Sequence, residues 1–113
     1  MANINWATAP IEDVLSGVTR QVVNGENQTM VRYVYQPGAV FPEHHHPQEQ
    51  ITVVLSGQIE FTVDGEKMVL HAGDASVIPA NVPHGARVIG TEVVETLNAL
   101  SPRRFVHPAP QAN

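Results

Sequence analysis

Three consecutive histidines, His44, His45 and His46, run up to the amide Gln50, and a fourth, His84, follows a loop bounded by Pro79 and Pro83. In an extended chain successive side chains alternate, so His44 and His46 point one way and His45 the other. Gln50 shares the parity of His44 and His46, whereas the carboxylate beside it, Glu49, has the opposite one. Gln50 rather than Glu49 is therefore the expected ligand, with His84 as the natural fourth donor. Three imidazole nitrogens and one amide oxygen would hold one divalent transition metal, and nickel, zinc, iron, manganese or copper all accept such donors. The chain has no cysteine, which excludes a thiolate zinc site and a disulfide frame.

Neutral ligands leave such an ion its full double charge, making it a strong Lewis acid and a good host for an anion. In an octahedral shell two adjacent positions stay open to a bidentate oxygen ligand such as a hydroxy acid, a keto acid or an enediol. Basic residues that could meet the rest of the anion are few. Arg32, the exception on an otherwise apolar strand face, could anchor a substrate carboxylate or snorkel at a rim. Arg20 is placed similarly, and Arg103 and Arg104 could contact substrate or solvate the tail. Glu95 and Glu60 are the carboxylates available on strands to carry a proton. His45, His71 and His107 read as surface residues, and Glu49 as a carboxylate able to hold an imidazole proton. Tyr33, Tyr35 and Phe41 read as packing residues, with Phe61 and Met68 in the core and able to wall a pocket.

The elements that must position these residues are short strands. Segments 18–23 and 28–35 are rich in β-formers and flank Asn24-Gly25, a hairpin signal. Segments 51–55, 58–63, 67–70, 75–78, 84–89 and 92–100 continue the pattern, with Asp64-Gly65 the strongest turn dipeptide. Residues 1–17 form a cover segment with one helical turn expected near 11–15, and the Pro-rich tail 103–113 frays or lies on a partner. Both faces of segment 28–35 are largely apolar, which implies a sandwich or barrel. If the even residues of 51–55 face the interior, Ile51, Val53 and Leu55 form an outward apolar stripe that a second copy of the chain would cover.

Composition agrees. The 113 residues, 42% hydrophobic and only 15% charged with eight glycines and nine prolines, suit one all-β domain with one core. Six Lys and Arg against eleven Asp and Glu give a net charge of -5, leaving no cationic surface for nucleic acid. There is no export signal and no stretch long enough to span a membrane, so a cytoplasmic protein is expected.

Gly38, His44, His46, Gln50 and Gly57 fall at the spacing of the first cupin motif, G-x5-H-x-H-x3-E-x6-G, with Gln in place of Glu. Gly73, Pro79 and His84 match the second, G-x5-P-x-G-x2-H-x3-N, with Asn81 and Val88 in place of its inner Gly and final Asn. The chain thus resembles a small single-domain cupin, over roughly 18–102. Fifteen residues separate the motifs, a spacing typical of small bacterial cupins. The resemblance implies an all-β double-stranded β-helix, or jelly-roll barrel, and a homodimer. Within cupins, the runs His44-His45-His46-Pro47-Gln48-Glu49-Gln50, Ala72-Gly73-Asp74, 78–85 and Ser101-Pro102-Arg103-Arg104 look like the pectin-degradation (KdgF-like) proteins, which ketonise unsaturated monouronates. That likeness implies metal ligation by His44, His46, Gln50 and His84, and substrate binding by Arg104. It also marks a departure: where that family carries an acid/base Asp and an aromatic residue on the last strand, this chain has Asn98 and Leu100. An amide cannot shuttle a proton.

The expected function is a metal-dependent isomerase- or lyase-type enzyme on a small anionic metabolite, with Arg104 or Arg32 holding the anion. A metal-dependent dioxygenase and a non-catalytic small-molecule-binding cupin are the alternatives.

Overall fold

A computed structural model describes residues 3–104, and among these it contains ten strands and no helix. They are β1 (Glu12–Leu15), β2 (Val18–Asn24), β3 (Thr29–Tyr35), β4 (Val40–His44) and β5 (Glu49–Ser56), followed by β6 (Gln58–Val63), β7 (Glu66–His71), β8 (Ala75–Ile78), β9 (His84–Ile89) and β10 (Val94–Ser101). A six-stranded sheet runs β1-β2-β3-β10-β5-β8 and a four-stranded one β4-β9-β6-β7. Every pairing is antiparallel, and the long crossings between sheets are those of the expected jelly roll. Most of the tail, including His107, lies outside the described residues, as do Met1 and Ala2.

The turn chemistry explains the hairpins. Asp64 and Gly65 both take positive φ, 50° and 80°, the backbone that a two-residue turn needs to match the twist of β6 and β7. Gly57, between β5 and β6, has φ of 74°, and a Cβ there would sit 2.8 Å from Val94 Cγ2 and 2.9 Å from the Val93 carbonyl oxygen. Only glycine fits that crossing.

The segment near 11–15, expected as a helical turn, is instead the edge strand β1, with Glu12 opposite Arg20 and Asp13 opposite Thr19. An isolated helical turn is costly to nucleate, while β2 offers a row of unpaired backbone groups that an edge strand satisfies.

Alternation sorts the remaining residues between the interior and the surface. Val18, Val54, Ile59, Ile78 and Val94 are almost completely buried and form the closed part of the core with Phe41, Phe61 and Leu70. On the outer face of the wide sheet the carbonyls of Trp6 and Ala9 accept hydrogen bonds from Gln21 Nε2, so the N-terminal segment covers β2. Farther across that face Ile51, Leu55 and Val77 remain 42%, 45% and 58% exposed.

Candidate metal centre

His44 is the last residue of β4 and pairs in register with His84, the first of β9. β4 ends there, so His46 is carried by the turn into β5 and not by strand alternation, yet it faces the same way. Its carbonyl accepts from the amide of Asn81, 2.8 Å away, which ties this turn to the loop preceding His84. The three imidazoles meet with ring centroids 4.3 Å (His44 and His84), 4.9 Å (His46 and His84) and 5.7 Å (His44 and His46) apart. Their ligand atoms all lie within 4.8 Å of one another. His45 is exposed.

Each ring is held by the same device. Nδ1 of His44 lies 3.0 Å from the Pro42 carbonyl oxygen, Nδ1 of His46 3.0 Å from that of Gln48, and Nδ1 of His84 2.8 Å from that of Val82. A carbonyl only accepts, so each Nδ1 carries the proton and each Nε2 presents a lone pair. Burial pushes all three histidines toward the neutral form, with the Arg104 charge adding to the effect, and His44 falls to about 4.

Two features of the cluster suit a cation. Nε2 of His84 is buried and meets no hydrogen-bond donor among the described residues. Nε2 of His46 lies 3.1 Å from Oε1 of Gln50; with the proton on Nδ1, both atoms are acceptors. A shared positive ion satisfies such a pair, and the donor set of three imidazoles and one amide oxygen suits a transition metal.

The pocket around these atoms is lined by Tyr33, Tyr35, Phe41, Phe61, Leu100 and Arg104 as well as the four donors, and among the described residues no carboxylate lines it. Its free volume is about 30 Å³, where a water needs on the order of 10–15 Å³. Arg104 reaches in from the segment after β10, with Nη1 donating to Gln48 Oε1 at 3.2 Å. Burial and the nearby Arg20 charge lower the pKa of its guanidinium. Arg20 itself is 4% exposed and faces inward opposite Tyr33.

Arg32 is elsewhere. It lies on the outer face of β3, where its guanidinium pairs with Glu95 and donates to Gln21 Oε1. Glu60 pairs with Arg87 on the outside of the narrow sheet, so neither carboxylate available for proton transfer reaches the pocket. Sequence reasoning missed Gln48, whose carbonyl holds His46 and whose side chain holds Arg104. Its even parity with His46 and Gln50 was the available signal.

Residues 31–100 match the cupin domain family (Cupin_2). The chain belongs to the cupins. Its relatives point to a particular branch. It is 30% identical to the pectin degradation protein KdgF of Dickeya dadantii, over 84% of this chain and 87% of that one. The solved structure of KdgF from Halomonas sp. superposes with a TM-score of 0.83 at 30% identity, over 91% of this chain and 96% of that one. The polyketide synthase CurC of Streptomyces cyaneus is 31% identical over 80% of this chain, which spans 59% of that longer relative. This is a cupin of KdgF-like type, with the two motif histidines of β4 and its following turn, and the motif histidine of β9, brought to one pocket.

Proposed function

We propose that this cupin is a metal-dependent enzyme of the isomerase or lyase type, acting on a small anionic oxygenated metabolite in chemistry related to uronate ketonisation. What supports the reading above all is the facing pair of acceptors, His46 Nε2 and Gln50 Oε1, in a pocket lined by Arg104 and, among the described residues, by no carboxylate. His44, His46, Gln50 and His84 would hold the ion. Nickel, zinc, iron, manganese or copper bound there would polarise a carbonyl or stabilise an enolate oxygen. Because the four donors are neutral, the bound ion would keep a full positive potential that draws in an anion. Arg104 would take the substrate carboxylate, with the oxygen-bearing end of a sugar acid toward the four donors. The name of the relatives from pectin degradation supports a uronate or a related keto acid.

A second reading, a binding or sensor cupin without turnover, has an observation of its own. Asn98 stands where the KdgF-like pattern has an acid, and its amide is fully engaged with its neighbours. On either reading we propose that the protein works as a homodimer, joined through the exposed apolar residues of the wide sheet.

The deciding experiment is metal analysis of the purified protein, then incubation with unsaturated uronates and keto acids followed by NMR, with His46→Ala as the blank. Metal-dependent conversion is expected, and Arg104→Gln should weaken the ligand's binding about ten- to a hundred-fold by removing a charge-assisted bond. A compound that raises Tm but stays unchanged would leave only the binding reading. Conversion that stops without dioxygen would favour a dioxygenase instead, and protein that takes up no metal would remove the basis of all of these.

A further inference from the structure

Gln50 can serve as an oxygen ligand only if its amide is turned the right way, since its two ends are alike in shape and opposite in chemistry. The side chains beneath it decide the matter. Asn98, 1% exposed, sends Nδ2 to the Val31 carbonyl oxygen at 3.2 Å and to Thr96 Oγ1 at 2.9 Å. The Val31 carbonyl has no proton to give, so Nδ2 must face it, and Asn98 cannot flip. Its Oδ1 is then fixed on the other side, where it accepts from Thr52 Oγ1 at 2.7 Å and from Gln50 Nε2 at 3.2 Å. Gln50 Nε2 gives its other proton to Thr52 Oγ1 at 2.9 Å. Turned over, Gln50 would set its oxygen against Asn98 Oδ1, two acceptors face to face in a buried site. With Nε2 held below, Oε1 has to face His46.

We propose that Asn98 is a positioning residue that relays the fixed direction of the Val31 carbonyl to Gln50, so that an amide oxygen rather than an N–H meets the histidine cluster. The proposal rests on the metal-site reading and gives Asn98 a role that its lack of a titratable proton does not oppose. Without it, Gln50 can turn its N–H onto the His46 lone pair, an internal hydrogen bond that closes the site to a cation. The pair is matched: an amide ligand at Gln50 needs an acceptor at position 98 aimed upward, and Asn98 supplies one.

Co(II) titration of the metal-stripped protein, read by its visible absorption and by competition with a chelator, tests this. Asn98→Leu should lose about ten- to a hundred-fold in Co(II) affinity, the usual effect of removing a group that orients a ligand, with an altered ligand-field spectrum. Asn98→Asp keeps an oxygen toward Gln50 and should stay within a few-fold of wild type even though it loses stability against the Val31 carbonyl. In a Gln50→Ala background, Asn98→Leu should cost nothing further, because the effect passes through Gln50. An equal loss in both backgrounds, or a loss that tracks Tm across the variants, overturns the proposal. Should Asn98→Leu not fold, the wild-type NOE pattern decides: Gln50 side-chain N–H protons close to Thr52 support it, and protons close to the His46 ring refute it. Wild type that binds no Co(II) while showing the Thr52 NOEs would sink the metal reading and leave the orientation standing.

Discussion

His44, His46 and His84 are kept neutral by burial and by neighbouring positive charge, Arg104 included, and the Nδ1–H of each donates to a backbone carbonyl oxygen. That preparation has a measurable cost in acid. In the metal-free protein His44 titrates near 4, against an ordinary value of 6.5. Between those values the unfolded chain binds protons that the folded chain refuses, so stability rises with pH across this window and is lost as pH falls through it. His46 and His84 shift in the same direction and add to the slope. Calorimetry of metal-free protein from pH 7 to pH 4.5 should therefore show Tm falling more steeply for wild type than for His44→Gln, and a divalent ion should steepen the wild-type curve further by competing with protons. Parallel curves for the two metal-free proteins would mean that His44 is not held neutral by the fold.

At the scale of elements, the site depends on how closely β9 approaches β4. A Cβ on Gly85 would lie 3.0 Å from the Phe41 carbonyl oxygen and 3.2 Å from the Glu43 nitrogen, backbone atoms that cannot step aside as a side chain would. Gly85→Ala should push the two strands apart beside the His44 and His84 pair, costing about 1–3 kcal/mol of stability and lowering metal affinity together with Tm; an unchanged Tm would refute the contact. Much of this arrangement was legible in the sequence. Period-two alternation put Gln50, Thr52 and Val54 on one face, which is the inner one, and the glycine and histidine spacing of two motifs pointed to the jelly roll and to the three histidines that meet in it. His44 and His46 face the same way although β4 stops at His44, because the turn carrying His46 is held by the Asn81 amide from the loop before His84. What local pattern could not supply was pairing. Residues 11–15 became a strand because β2 had a free edge, and Arg32 fell outside the pocket because β3 presents its odd residues to the interior. The role of Asn98 needed the Val31 carbonyl, 67 positions away in sequence.

For the whole molecule, the outer face of the wide sheet is the surface that soluble monomers rarely leave open. Ile51 and Leu55 on β5 and Val77 on β8 are 42%, 45% and 58% exposed, and Ile51 and Val77 are register partners on neighbouring strands. Toward β2 the same sheet is partly closed off by the segment carrying Trp6 and Ala9 and by the Arg32 pairing with Glu95, so the most open apolar residues lie on β5 and β8, with Met30 of β3 also 37% exposed. A second copy of the chain related by a two-fold axis would bring the same residues against themselves, a self-complementary contact of the commonest kind. Ile51→Lys combined with Leu55→Glu should then yield a monomer in sedimentation and light-scattering measurements, while wild type runs at twice that mass. Since these side chains point away from the pocket, Co(II) affinity of the monomeric variant should stay within a few-fold of wild type. A wild type that remains monomeric at high concentration would leave this face to some other partner and remove the dimer from the functional reading.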